Sequence, residues 1–306
     1  MRVLITNDDG VDSVGIQILA AAIAATGDHE VQVVAPADDR SGTGAALGNF
    51  SPSQGGLHAT AVTLPAAPGV EAWALESTPA MCVLAAALGG FGERPDLIVS
   101  GINAGLNTGR AVLHSGTVGA VLTGQNFGLS GLAVSTALSD PWHWDTAAAY
   151  AVEVLPMLLE APPRSALNLN VPARPYSEVR GVRWARLAPF GETRAAFVSD
   201  REPVDGAEPS GVAGAAIGER RRLRMELQLA EHEFDDDTDT GVVRDGWAAL
   251  TTIVGVVEAW PGDHELDGDT TPGELTQSIV PGAPLDPAHR VPDPASGLLH
   301  RPVIVT

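Results

Sequence analysis

Two adjacent carboxylates, Asp8 and Asp9, directly follow the short apolar, β-branched run Arg2 to Thr6 and precede Gly10. Neighbouring carboxylates behind a buried strand are costly unless positive charge lies beside them, and a divalent cation is the usual source. Hard cations such as Mg²⁺ take oxygen ligands from carboxylates, hydroxyls and amide carbonyls. Ser41, in the loop Asp38 to Gly42, and Asn103, behind the run Asp96 to Ser100, complete such an oxygen set. No Cys/His cluster has zinc spacing. Taken alone, Asp-Asp-Gly also makes a solvated turn.

The stretch Ser100 to Gly119 reads SGINAGLNTGRAVLHSGTVG. Its glycines let backbone turn sharply and approach a ligand closely. Ser115 and Thr117 open the apolar run Val118 to Leu122, which reads as a helix. A hydroxyl at a helix start accepts backbone N–H bonds, and the free N–H groups there favour an anion. A strand, a loop bearing Asn103 and Asn107, and this helix start form a candidate phosphate cradle. An ordinary strand-to-helix connection with capping residues has the same composition.

The elements around these residues separate the two readings. Strands are expected at 2–6, 31–35, 96–100, 131–135 and 166–171. Helices are expected after Ser13 (Ile16, Leu19, Ala20 and Ile23 on one face), from Thr78-Pro79 to about Leu88, after Ser115, and from Asp145 to about Glu160. Strands alternating with helices give an α/β fold with a mostly parallel sheet and flanking helices, and such sheets bind ligands beyond the carboxyl ends of their strands. Asp8-Asp9, the loop of Ser41, and Asn103 each follow a strand, so all three fall on one sheet edge. This convergence favours the cation site over the solvated turn.

The chain has 306 residues, with 18 Lys+Arg against 38 Asp+Glu and a formal net charge of −20. This balance argues against broad nucleic-acid or anionic-membrane binding. It leaves room for a small phosphate ligand, because a metal ion supplies positive charge locally. The single cysteine, Cys82, lies in an apolar run and reads as a buried small hydrophobe. The N-terminus enters a strand at once, with no signal-peptide pattern, and the apolar windows are too short to span a bilayer, so a cytoplasmic protein is expected.

The sequence resembles the SurE survival-protein nucleotidases. The matching stretches are Val3 to Gly10 (VLITNDDG), Arg40 to Gly42, Ser77 to Ala80 with Cys82, Ser100 to Asn103, Asn107, and Ser115 to Ala120, with weaker echoes at Leu167 to Pro172, Thr238-Asp239 and Gly246-Trp247. The resemblance is dense over residues 1–140 and patchy to about 255. It implies a Rossmann-like domain and a metal-dependent phosphomonoesterase that releases phosphate from nucleoside monophosphates by attack of a metal-activated water. Under it, Asp8, Asp9, Ser41 and Asn103 hold one Mg²⁺ or Mn²⁺, and Asp8 or Asp9 orients the water. Asn107, Ser115, Gly116 and Thr117 face the phosphate. It also implies a homodimer or homotetramer, which suits a β-rich second half with few core signals of its own.

The expected organisation is a catalytic core over 1–180, a β-rich hairpin and oligomerisation region over 181–260 that completes the core, and an extended acidic, Pro-rich tail over 261–306. His114 departs from the family's usual tyrosine and becomes a candidate substrate contact. Met81 departs from an acidic position, the loop Gly42 to Gly48 is more apolar than the family's, and Glu219 to Arg224 carries four arginines. These departures keep open a specialised phosphatase for another small phosphate ester, and a non-catalytic nucleotide-binding protein.

Overall fold

The computed structural model describes residues 1–48, 56–191, 193–198, 224–229 and 233–256. The arginines at 220–222 and the tail over 261–306 lie outside the described residues. The elements run β1 (Arg2–Thr6), α1 (Val14–Ala25), β2 (Glu30–Pro36), β3 (Ala59–Val62), β4 (Glu71–Leu75), α2 (Pro79–Ala87), β5 (Leu97–Ala104), a 3-10 helix (Gly109–His114), α3 (Gly116–Asn126), β6 (Ser130–Thr136), α4 (Trp144–Glu160), β7 (Ala166–Val171), β8 (Val182–Trp184), β9 (Thr193–Val198), β10 (Arg224–Leu229), α5 (Asp239–Arg244) and β11 (Ala248–Thr252). A further 3-10 turn covers Tyr176–Glu178.

The main sheet has the strand order β3-β4-β2-β1-β5-β6-β7-β11-β8. β4, β2, β1, β5, β6 and β7 pair in parallel, while β3 and β11 run antiparallel to β4 and β7. The expected α/β fold with a mostly parallel sheet and flanking helices is the one observed. β8 and β11 extend this sheet, whereas β9 and β10 form a two-stranded ribbon of their own.

Strand alternation explains the two covered faces. Val3 and Ile5 of β1 point into a core with Ile16, Leu19 and Ile23 of α1 and Tyr150 and Val154 of α4. Leu4, between them, points the other way, against Met81, Cys82 and Val83 of α2. Cys82 is buried and free, and burial raises its thiol pKa. α2 starts as its sequence predicts: Thr78 accepts the Met81 N–H at 3.2 Å and Pro79 takes the first helical position.

β5 outruns its sequence signal. The apolar run ends near Ser100, yet pairing with β6 resumes after a register shift and continues through Asn103 and Ala104. Asn103 therefore sits on the end of a central strand. β1 lies between β2 and β5 at the point where the strand order reverses. The crevice beyond the carboxyl ends of these strands is the general ligand position of such sheets.

Candidate active site

The turn after β1 is built by Asn7, which is fully buried. Its Nδ2 donates to the Gly10 carbonyl at 2.9 Å and to Ser13 Oγ at 2.8 Å. Ser13 occupies the N-cap position of α1 as expected, but its hydroxyl caps no helical N–H and serves Asn7 instead. Asn7 thus fixes the path of Asp8 and Asp9 against the start of α1.

Asp8 is 3% exposed. Its Oδ1 accepts the Thr117 hydroxyl at 2.5 Å, and the N–H groups of Gly116 and Thr117 also bond to the carboxylate. A Cβ on Gly116 would stand 2.7 Å from the Asp8 Cβ, so only glycine admits this contact at the α3 N-terminus. Burial pushes the Asp8 carboxyl up, opposed by these donors. Asp9 is half-buried, and its Oδ2 accepts the Ala104 N–H at 3.3 Å. Burial, then the neighbouring Asp8 charge, pushes the Asp9 carboxyl up to about 6. Among the described residues, the ion pairs involve neither Asp8 nor Asp9.

Asn103 donates from Nδ2 to the Gly105 carbonyl at 2.6 Å, which leaves Oδ1 3.3 Å from Thr117 Oγ1. The single Thr117 proton goes to the nearer Asp8 oxygen, so the Asn103 oxygen lies beside this hydroxyl without receiving its proton. The loop after β2 comes in from the other side, where the Arg40 N–H donates to the Asp8 carbonyl at 2.6 Å. Ser41 follows at the exposed rim, and both its N–H (2.8 Å) and its hydroxyl (2.6 Å) bond to Asp39 Oδ1. These bonds hold the Asp39 carboxyl below its ordinary value. The loop lies directly on α3: a Cβ on Gly119 would stand 2.3 Å from the Gly44 carbonyl carbon.

The cradle residues divide into two groups. Ser115 caps α3, its Oγ accepting the Val118 N–H at 3.1 Å, and Gly116 and Thr117 face Asp8. His114 is exposed at the end of the 3-10 helix, its carbonyl accepting the Gly44 N–H at 3.1 Å. Asn107 is buried, and its Nδ2 donates to Ser135 Oγ at 2.9 Å. Trp142 and Trp144 stack on each other, centroids 4.5 Å apart.

Asp39, Asn7, Asn168, Asn170 and Asp239 carry site contacts that the sequence reading did not assign. Asp239 is fully buried and accepts the N–H groups of Gly109 (2.7 Å), Ala188 (2.9 Å) and Thr240 (2.8 Å). Burial pushes its carboxyl up, against those three donors. Its sequence signals, Thr-Asp at a helix start and a weak family echo, say nothing of Gly109.

The residues present fit a hard divalent cation. Burial raises the Asp8 carboxyl, burial and then the Asp8 charge raise Asp9, no cationic side chain among the described residues is paired to either, and the neutral amide oxygen of Asn103 lies 3.3 Å from the hydroxyl that serves Asp8.

The family model described as Survival protein SurE matches residues 3–192. The chain belongs to the SurE family. Among similar SurE proteins, the 5'-nucleotidase SurE of Gloeobacter violaceus is 39% identical over 255 residues, covering 83% of this chain and 89% of the relative. The 5'/3'-nucleotidase SurE of Yersinia pseudotuberculosis is 33% identical over 280 residues, covering 88% and 99%. The crystal structure of the SurE protein from Aquifex aeolicus superposes with a TM-score of 0.62 at 25% identity, covering 91% of this chain and 98% of that one. The SurE resemblance drawn from Asp8-Asp9-Gly10 and its companion motifs is thereby borne out.

Proposed function

We propose that this SurE chain hydrolyses nucleoside monophosphates to nucleoside and phosphate with one divalent cation, Mg²⁺ or Mn²⁺, held by Asp8, Asp9, Ser41 and Asn103. The observation that carries the reading is the Asp8-Asp9 pair, without a cationic partner among the described residues, at the point where the strand order reverses, with Thr117 donating to Asp8 and Asn103 Oδ1 beside it. The nucleotidase names of the SurE relatives support the substrate class.

The chain's own groups have distinct tasks. Thr117 and the α3 N-terminus oppose the rise that burial gives the Asp8 carboxyl, and so favour the ionised form that a cation ligand takes. Asp9, the more exposed carboxylate, is placed to orient water. Ser115, at the α3 N-terminus, and Asn107 flank the phosphate position, where the helix dipole favours an anion. His114 lies on the rim, where it touches the part of the substrate beyond the phosphate. The bound cation supplies polarisation of the phosphoryl oxygens and a lowered pKa for a bound water. Residue donors aimed at the transferring group then stabilise charge in the transition state.

The β9–β10 ribbon pairs with no strand of the main sheet among the described residues, and isolated two-stranded ribbons are marginal in water. We assign to it the assembly of a homodimer or homotetramer, and a compact monomer in sedimentation at micromolar concentration contradicts that assignment. Among the described residues no helix is long and apolar enough to cross a membrane.

The deciding experiment is phosphate release from a panel of nucleoside monophosphates and sugar phosphates, in EDTA and after adding back Mg²⁺ or Mn²⁺. Cation-dependent release led by nucleotides is expected. Equal release in EDTA removes the cation from the reading, and a preference for sugar phosphates removes the nucleotide.

A further inference from the structure

Asn107 is gripped by side chains from a strand more than sixty residues away in sequence. Its N–H donates to Asn170 Oδ1 at 2.8 Å, and its carbonyl accepts Asn170 Nδ2 at 3.0 Å. One side-chain amide therefore pairs with both backbone groups of Asn107, as a neighbouring β-strand would. Asn168, two residues earlier and on the same face of β7, donates from Nδ2 to the same carbonyl at 2.8 Å. Both asparagines are fully buried. A side-chain amide donates from one atom and accepts at another, as this pairing needs, whereas an ionised carboxylate accepts only and an ammonium or guanidinium donates only.

The grip falls where backbone pairing ends. β5 stops at Ala104, and after one more bond, from the Gly105 N–H to the Thr136 carbonyl at 3.0 Å, the chain leaves the strand. β7 lies one strand beyond β6, so the loop from β5 crosses over the end of β6 to reach it. Ser135 of β6 completes the hold by accepting Asn107 Nδ2 at 2.9 Å. Its backbone N–H, its carbonyl and one of its amide protons are thus fixed by β6 and β7. The second Nδ2 proton and Oδ1 have no protein partner among the described residues.

We infer that Asn170, backed by Asn168, is a positioning residue that holds the Asn107 amide in place for the phosphoryl group. The inference rests on the reading of Asn107 as a phosphate-facing residue. Asn170 does not touch substrate; it acts through Asn107. Misplacement of a reacting or stabilising group by about 1 Å costs on the order of 100-fold in rate.

The test is a double-mutant cycle on phosphate release with Asn170→Ala, Asn107→Ala and the pair, together with amide hydrogen exchange at Asn107. Asn170→Ala is expected to lower kcat about 100-fold with little change in KM, and to change kcat less than about 3-fold once Asn107→Ala is present. Exchange at the Asn107 N–H should accelerate in Asn170→Ala while β1 and β5 amides keep their protection. Asn168→Ala removes one of the two donors to the carbonyl and should give a smaller loss of the same kind, which keeps the test open should Asn170→Ala not fold. Val154→Ala, on the buried face of α4, serves as a destabilised control expected to keep wild-type kcat.

Additive losses in the cycle, or unchanged exchange at Asn107, overturn the inference. If Asn107→Ala itself retains full turnover, the reading of the phosphate site falls instead. Exchange then still decides whether Asn170 holds the loop.

Discussion

Replacing Asp9 with Asn should raise the stability of the cation-free protein while removing its activity. The Asp9 carboxyl moves from an ordinary 3.8 to about 6 through burial and then the Asp8 charge. That difference of about 2, at ~1.4 kcal/mol per pKa unit, amounts to roughly 3 kcal/mol before screening. Asp9 is only half-buried, so solvent screening reduces this to about 1–2 kcal/mol. Because the raised value belongs to the folded state, stability is full below the unfolded value and falls as pH rises through about 6. Asp9→Asn escapes that loss.

In EDTA at pH 7.5 the variant should melt ~2–6 °C above the wild type, and the gap should close near pH 4. Saturating Mg²⁺ or Mn²⁺ should reverse the order, since binding to the native state stabilises the wild type more. Turnover of the variant should fall on the order of 100-fold or more. Melting curves at three pH values, with and without cation, and phosphate release measure all of this. No gain in melting temperature at pH 7.5 in EDTA refutes the electrostatic argument, and near-wild-type turnover with cation bound refutes the assignment of Asp9.

Thr117→Val keeps the shape of the buried side chain but strips Asp8 of its 2.5 Å donor. The Asp8 carboxyl should rise further and cation affinity should fall about 10-fold, roughly the 1–2 kcal/mol of a charged hydrogen bond, as read by calorimetric titration with Mn²⁺. His114→Tyr alters an exposed rim residue and should reorder a substrate panel without changing cation affinity; an unchanged rank order makes His114 a plain loop residue. Asp239→Asn should cost on the order of 3 kcal/mol, because an amide cannot accept from Gly109, Ala188 and Thr240 without turning its own donor on one of them. Denaturant titration checks that value, and a midpoint within error of wild type contradicts it.

The parts of the site legible in the sequence are those that follow strands. β1, β2 and β5 are each marked by apolar, β-branched runs, and parallel pairing places whatever follows them on one edge. Asp8, Asp9, Ser41 and Asn103 could be grouped for that reason alone. The groups that hold the neighbouring loop, at Asn107 and Gly109, were not legible. Asn170 meets Asn107 across 63 positions and Asp239 meets Gly109 across 130, and no local pattern announces either contact. Ser13 was legible as a cap position and not as the acceptor of Asn7, because the same residue type serves both tasks. The extension of β5 past Ser100 was hidden by Gly101, a poor strand former in isolation that here lets the Val134 carbonyl come within 2.3 Å of where its Cβ would be.

The bond from the Gly109 N–H to Asp239 also orders the events of synthesis. By the time Ala104 has been made, the growing chain already carries Asp8, Asp9, Ser41 and Asn103. The span leading into Ser115 still lacks the carboxylate that anchors Gly109, which is translated 130 residues later. A nascent chain, or a fragment ending before residue 233, therefore has the residues of the proposed cation site but lacks the carboxylate that anchors the loop leading to the proposed phosphate site. Such a fragment is expected to bind Mn²⁺ and to release no phosphate, so the enzyme would become active only when its far end folds back.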